Sequence, residues 1–234
     1  MRHNWIWKAV FGLSLTAPLF AQPYTISSPT AEYLANTTLI PVTGSNLSSV
    51  PTLTGGGRTI TFSPAMMVFT HWSVWGAPPD TESSTPLVLA STITNQTSET
   101  LTISASANTV GFEIEPSNAC SPMPACSSGP STPFTFTVTF LNGTTTLGTV
   151  TRSIFYNAAR LIAVSSSTPI TTVQISVPAA AGGFALAQFR FGTTLIGAPP
   201  ASGIPTLGAP ALSALALLLL AAGALQARSQ QVKI

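Results

Sequence analysis

Between Gln22 and Gly192 the chain repeats one pattern: short runs of Val, Ile, Thr and Phe, each bounded by Pro, Gly, Asn or Ser. The clearest case is FTFTVTFLNG, where Phe134, Phe136, Val138 and Phe140 share one parity and Thr135, Thr137 and Thr139 take the other. A period of two puts the aromatic set on one face of a strand and the threonines on the opposite face. The Asn142-Gly143 pair that follows tolerates positive φ and is a hairpin signal, here of type I′. Further candidate strands cover residues 38–42, 58–62, 66–75, 86–94, 100–105, 110–115, 147–156, 161–165, 172–177 and 183–191. No convincing amphipathic helix interrupts them. The expected body is therefore all-β, an antiparallel β-sandwich with a jelly-roll-like arrangement.

Two local features refine that expectation. In GFALAQFRF, Phe184 and Leu186 share a parity that Phe189 and Phe191 do not. A bulge at Ala187-Gln188 would restore one common face, unless both faces are covered there. The stretch PTLTGGGR, residues 51–58, reads as a loop, because three glycines without a following helix do not form a phosphate cradle.

Charge is scarce, at 6% of residues against roughly 25% in ordinary soluble domains. The formal +2 belongs to the ends of the chain. Arg2 and Lys8 lie near the start, and Arg228 and Lys233 near the finish. Within the body, Arg58, Arg152, Arg160 and Arg190 stand against six acidic residues, so the balance there is slightly negative. Without a Lys/Arg cluster no nucleic-acid partner is expected.

The first 21 residues read as a secretory signal peptide. They carry a basic start, an apolar stretch from Ala9 to Leu15, and the small residue Ala21 before a cut, with Ala17 as an alternative. The Sec translocon and signal peptidase are the implied partners. Cys120 and Cys126, in NACSPMPACSS, suit a local disulfide in an oxidising compartment; two free thiols are the alternative. Such a small bridge would contribute about 2 kcal/mol and pin a loop without holding the fold.

Groups able to do chemistry are few. His71 is the one histidine beyond the signal segment, and no nucleophile-elbow or zinc-helix motif occurs. Glu113 and Glu115, in GFEIEPSN, fall on one strand face with Phe112 and Ile114 opposite. Paired carboxylates of this kind serve glycoside hydrolysis or bind Ca²⁺, and otherwise form a solvated strand face. Calcium would need more oxygens, for which Asp80 and Glu82 in PPDTES are candidates; no other cofactor or metal is expected. Trp72 and Trp75 could stack on sugar rings from outside, or pack in the core between two sheets. As strand residues of opposite parity, they would not both face outward.

Residues 193–203 are small, proline-containing and uncharged, which suits a linker. Beyond it, Ile204-Pro205-Thr206-Leu207 precedes the apolar run Ala209–Leu225, which as a helix would measure about 25 Å. A basic end with Arg228 and Lys233 follows, which places the body outside the cytoplasm by the positive-inside rule. A C-terminal transmembrane helix over about residues 209–225, lodged in the inner membrane, is expected.

Motif, apolar helix and basic end together resemble the tripartite C-terminal sorting signals of Gram-negative bacteria that exosortases and related enzymes process. Ile204-Pro205-Thr206-Leu207 is similar to the IPTL type, a relative of the PEP type. It differs from the usual pattern in continuing Gly208-Ala209-Pro210-Ala211, without a Trp-Gly pair. TVGFEIEP, FTVTFLNGTTTLGTV and FALAQFRFG resemble strands of the β-sandwich domains that such proteins carry. At the closing strand Ala187-Gln188 replace the acidic-amide pair, so no calcium role is inherited there.

The resemblance implies a non-enzymatic protein of the cell surface or extracellular biofilm matrix. It would be exported, held briefly in the inner membrane, cut by an exosortase-like enzyme over residues 204–234, and placed near extracellular polysaccharide. Alternatives are a secreted carbohydrate-binding module using Trp72 or Trp75, an uncleaved C-tail-anchored surface protein, and a glycan-acting enzyme using Glu113 and Glu115.

Overall fold

The computed structural model describes residues 23–72, 75–93, 95–117 and 132–197. Ala21, the pair Cys120 and Cys126, the motif Ile204–Leu207, and Arg228 and Lys233 all lie outside these residues, as do the expected signal and transmembrane helices. Among the described residues no helix is long and apolar enough to cross a membrane.

The hairpin expected at FTFTVTFLNG forms from β7 (Phe134–Asn142) and β8 (Thr145–Ile154), in the register Thr137 opposite Thr151 and Val138 opposite Val150. Asn142 pairs with Thr145, so the loop residues are Gly143 and Thr144, and of these only Gly143 has positive φ, at 57°. Glycine at the first central position is the type II′ preference, not the I′ turn expected from the Asn-Gly pair.

Several expected strands are pieces of longer ones. Residues 100–105 and 110–115 belong to β6 (Ser98–Pro116), and residues 161–165 and 172–177 fall largely within β9 (Arg160–Ser176). Residues 58–62 and 66–69 join in β4 (Arg58–Phe69), which stops well short of residue 75. The polar breaks that looked like loops are bends within continuous strands. Ala105 sits at φ 62°, and the β6–β9 register shifts between Thr102 and Ala107 and again before Thr109. Such irregularities kink a strand and increase its twist.

The bends let one strand serve different neighbours along its length. The first part of β6 pairs with β4, Ile103 opposite Ile60. Its last part pairs with β10 (Phe184–Gly192), Ile114 opposite Leu186. The far end of β4 pairs with β5 (Val88–Ala90), and β5 pairs with β10. The pairings β4–β5–β10–β6–β4 thus return to their start, and the core they enclose is barrel-like. From β6 the path continues through β9 and β7 to β8. Three strands pair at the margins: β1 (Tyr24–Ile26) on β9, β2 (Thr38–Ile40) on β10, and β3 (Ser49–Gly55) on β4. Every pairing is antiparallel.

β3 corrects the reading of PTLTGGGR as a loop. Thr52 and Thr54 face solvent while Leu53 is buried opposite Ile60, and only Gly56 and Gly57, at φ 57° and 75°, make the turn. The bulge expected in β10 is present. Gln188 takes φ 52° and the register jumps between Ala187 and Arg190, so Phe184, Leu186, Phe189 and Phe191 all enter one core. There Phe189 meets Phe62 edge-on, with ring centroids 5.7 Å apart, and Phe112 at 6.1 Å.

A short helix α1 (Ala31–Asn36) lies over the outside of β6 and β9. Thr30 caps it by accepting from the Tyr33 N–H at 3.1 Å, and Tyr33 is completely buried. Space for the phenol exists because Gly111 has no side chain: a Cβ there would collide with the Tyr33 oxygen and with Ala163 Cβ. Gly111→Ala is expected to lower stability by about 1–3 kcal/mol through overpacking, read as a drop in melting temperature; an unchanged melt would show that α1 yields without cost. Of the expected linker, residues 193–197 are held on the domain. Thr194 O accepts from Thr109 Oγ1 at 2.9 Å, and Ile196 N donates to Ser165 Oγ at 2.8 Å.

Candidate functional site: an acidic pair beneath two tryptophans

Glu113 and Glu115 occupy the part of β6 that lies between β10 and β9. Alternation sends Phe112 and Ile114 into the barrel-like core and both carboxylates to the outer face, as their spacing requires. That face is not solvated, which corrects the expectation of an exposed strand surface. Both glutamates are fully buried, because the segment linking β4 to β5 folds back across them.

The cover fits because its floor is small. Opposite Glu113 and Glu115 on β10 stand Ala187 and Ala185, with Ala90 on β5 and Ala159 just before β9. Trp75 packs on these alanines and Val88, while Phe69 and Trp72 meet edge-on with centroids 5.6 Å apart. The tryptophans therefore do not sit on a strand with opposite parity, nor between two sheets. Both indoles turn to the same acidic pair: Trp75 Nε1 donates to Glu113 Oε2 at 2.7 Å, and Trp72 Nε1 donates to Glu115 Oε1. Trp75 is 4% exposed and offers no ring face for sugar stacking.

Further contacts fix the same segment. The Glu82 backbone N–H donates to Glu113 Oε1 at 2.5 Å, and the Glu82 carboxylate accepts from Arg190 Nε at 2.7 Å. Arg190 also donates to Thr37 O at 3.1 Å, which ties the C-terminal end of α1 to the cover. Asp80 pairs with Arg160 at 2.8 Å and accepts from the Leu161 N–H through its carbonyl. Gly76 passes so close to Ala159 that a side chain would strike the Ala159 backbone. Asp80 and Glu82, candidates for completing a calcium site, are thus each matched to an arginine. Among the described residues no group of three or more His, Cys, Asp or Glu is placed to hold a metal.

Burial sets the protonation of the pair. It pushes the Glu115 carboxyl up to about 8, against the opposing Trp72 N–H. Oε2 of Glu115 has no hydrogen-bond partner among the described residues. Glu113 is pushed up to about 7 by burial, with the Trp75 and Glu82 N–H groups opposing. At neutral pH Glu115 is mostly a neutral acid, held under an indole. A raised carboxyl is the form a general acid takes, but Glu113 and Glu115 are sealed from solvent, and neither lines the described cleft of about 120 Å³ bordered by Tyr24, Glu32 and Ile196. The arrangement works chemically as a clasp that fastens a covering segment to a sheet. His71 lies on the exposed side, with Nδ1 at 3.0 Å from Thr70 Oγ1.

Sequence reasoning named Glu113, Glu115, Trp72 and Trp75 without joining them, counted Arg190 only as a charge, and did not name Tyr33. One signal was available: Ala90, Gly111, Ala163, Ala185 and Ala187 take outward positions where an exposed strand would carry larger polar side chains. A patch of small residues on an outer face marks where something bulky packs.

No protein-family model and no curated protein matches the chain. Among solved structures it is similar to the enzymatically active domain of Bacteriophage CBA120 tailspike protein 4, at 19% identity and a TM-score of 0.27. The match covers 72% of this chain and 20% of that one, so this chain spans about a fifth of the tailspike chain. A likeness at that score carries no argument about fold or activity.

Proposed function

We propose that this chain is a non-enzymatic protein of the bacterial cell envelope or extracellular matrix. In this reading its β domain, jelly-roll-like in its finer layout, is exported and then delivered through the C-terminal signal. The observation that carries the reading is the order of the tail: Ile204-Pro205-Thr206-Leu207, an uncharged run to Leu225, then Arg228 and Lys233. The domain supports it in a second way. Its most chemically distinctive carboxylates, Glu113 and Glu115, are engaged in fastening the 70–87 segment.

The test is replacement of Pro205 and Thr206 by alanine in the producing cell. The variant is expected to accumulate in the inner membrane as a longer precursor, while the unaltered chain leaves a shorter mature form, read by fractionation and intact mass. If both show the same mass and location, the sorting role is wrong. A mature unaltered protein that still carries Arg228 and Lys233 would instead identify a permanently anchored surface protein.

A further inference from the structure

Sequence motifs of the form Thr-x-Thr recur on five strands: Thr52-Leu53-Thr54, Thr59-Ile60-Thr61, Thr100-Leu101-Thr102, Thr137-Val138-Thr139 and Thr149-Val150-Thr151. The pairing register brings them to one face. Thr52 lies opposite Thr61, Thr61 opposite Thr102, and Thr102 opposite Thr172. A second row crosses five strands, β4, β6, β9, β7 and β8, as Ser63, Thr100, Gln174, Thr139 and Thr149. The apolar residues between the threonines, Leu53, Ile60, Leu101, Val138 and Val150, all point into the core. The threonines are therefore outward, and each is exposed or half-exposed.

Around these two rows the same parity carries Thr, Ser and Gln, apart from Leu141, which lies opposite Thr172 and is buried. Glu99, beside Thr100, is buried on the inner side, and Glu113 and Glu115, farther along the outer face of β6, are covered by Trp72 and Trp75. A solvent-facing sheet normally carries charged side chains, which keep it soluble and unpaired. Here about six strands present a charge-free field of hydroxyls instead.

We propose that this face binds an uncharged, hydroxyl-rich linear polymer, a neutral polysaccharide lying across the strands. Three features point to that partner. The field lacks charge, so it offers nothing to an anionic chain or to nucleic acid, whose binding is dominated by cationic side chains. Its polar side chains recur at about 4.8 Å across strands, so the five-residue row, four hydroxyls and the Gln174 amide, forms a donor–acceptor track about 19 Å long. Threonine is β-branched and stiff at χ1, so the track loses little side-chain freedom on binding. Sheet twist, about 20–25° between neighbouring strands, separates this partner from a planar lattice such as ice: a flexible chain can follow a twisting row, whereas a flat crystal face meets only part of it. The many weak contacts act together through multivalency.

This inference deepens the matrix-protein reading and rests on it for the presence of the polymer. The binding test does not involve the tail, so the two readings fail separately. The full chain in detergent is run through native gels containing hydroxyethyl cellulose, dextran or anionic alginate. Retardation by a neutral glucan is expected. Thr100→Glu with Thr139→Glu, which puts two charges in the middle of the row, should weaken it about tenfold or more. Ser167→Glu, a charge at an exposed position outside both rows, should leave it unchanged, and so should alanine at Pro205 and Thr206. Melting curves check that each variant is folded. The proposal is overturned if no neutral polymer retards the chain, if the row variant and Ser167→Glu weaken binding equally, or if alginate binds better than the glucans. Inhibition of ice recrystallisation without polymer binding would also overturn it.

Discussion

Arg190→Met is expected to destabilise the domain by about 3–5 kcal/mol, the usual cost of removing one partner from a buried ion pair. Arg190 and Glu82 side chains are only 14% and 9% exposed, so the carboxylate left behind cannot recover full hydration. The loss extends beyond one bond. Arg190 holds Glu82, whose backbone N–H holds Glu113, and it also caps carbonyls at the end of α1. Urea unfolding followed by tryptophan fluorescence reads both the total stability and any early release of Trp72 and Trp75. Adding Glu82→Gln should recover part of the loss by removing the stranded charge. If the single variant shifts stability by less than about 0.5 kcal/mol, the level of an exposed pair, Arg190 is not a fastening point.

The second large effect is a fall in stability as pH rises from about 5 to 9. Glu99 and Glu113 are pushed up to about 7 and Glu115 to about 8, each chiefly by burial. A folded-state value above the unfolded one means that the folded protein holds protons the unfolded chain has released. Stability from these groups is therefore complete below about 4.5. It declines as pH climbs through the interval up to 7–8, and is lost above it. Each group contributes about 1.4 kcal/mol per unit of difference, so the decline is on the order of several kcal/mol across the window. Melting temperature against pH reads it directly. Glu115→Gln imitates the neutral acid, keeps an acceptor for the Trp72 N–H, and should flatten the alkaline side of the curve. A stability that rises toward pH 9 would mean that these carboxylates are ionised and well solvated in the folded protein.

Much of the local architecture was legible in the chain. The alternation in FTFTVTFL placed Phe136, Val138 and Phe140 in the core, and the parity break around Ala187-Gln188 located a bulge. Strand length was not legible. Asn, Ser and Ala at residues 104–108 carry the composition of a loop, yet the chain passes through them as one bent strand because both ends of β6 find partners. The turn type at Gly143 shifted for a similar reason: the register of the whole hairpin, not the Asn-Gly pair alone, decides which residues take the central positions.

The candidate site divides along the same line. Glu113 and Glu115 were assigned correctly to one face, because strand geometry fixes parity from adjacent residues alone. Whether that face met water depended on residues 70–87, some forty positions earlier, folding back over it. It depended too on Ala185, Ala187 and Gly111 leaving room for indoles and a phenol. Sequence by itself determined the alternating β pattern, the near absence of charge in the body, and the placing of Arg and Lys beside apolar runs at both ends, all properties of neighbouring residues. Tertiary structure decided that the acidic pair is a buried clasp and that scattered Thr-x-Thr motifs form one continuous surface. Register between strands distant in sequence is set by long-range packing and hydrogen bonding, which no local stretch of the chain contains.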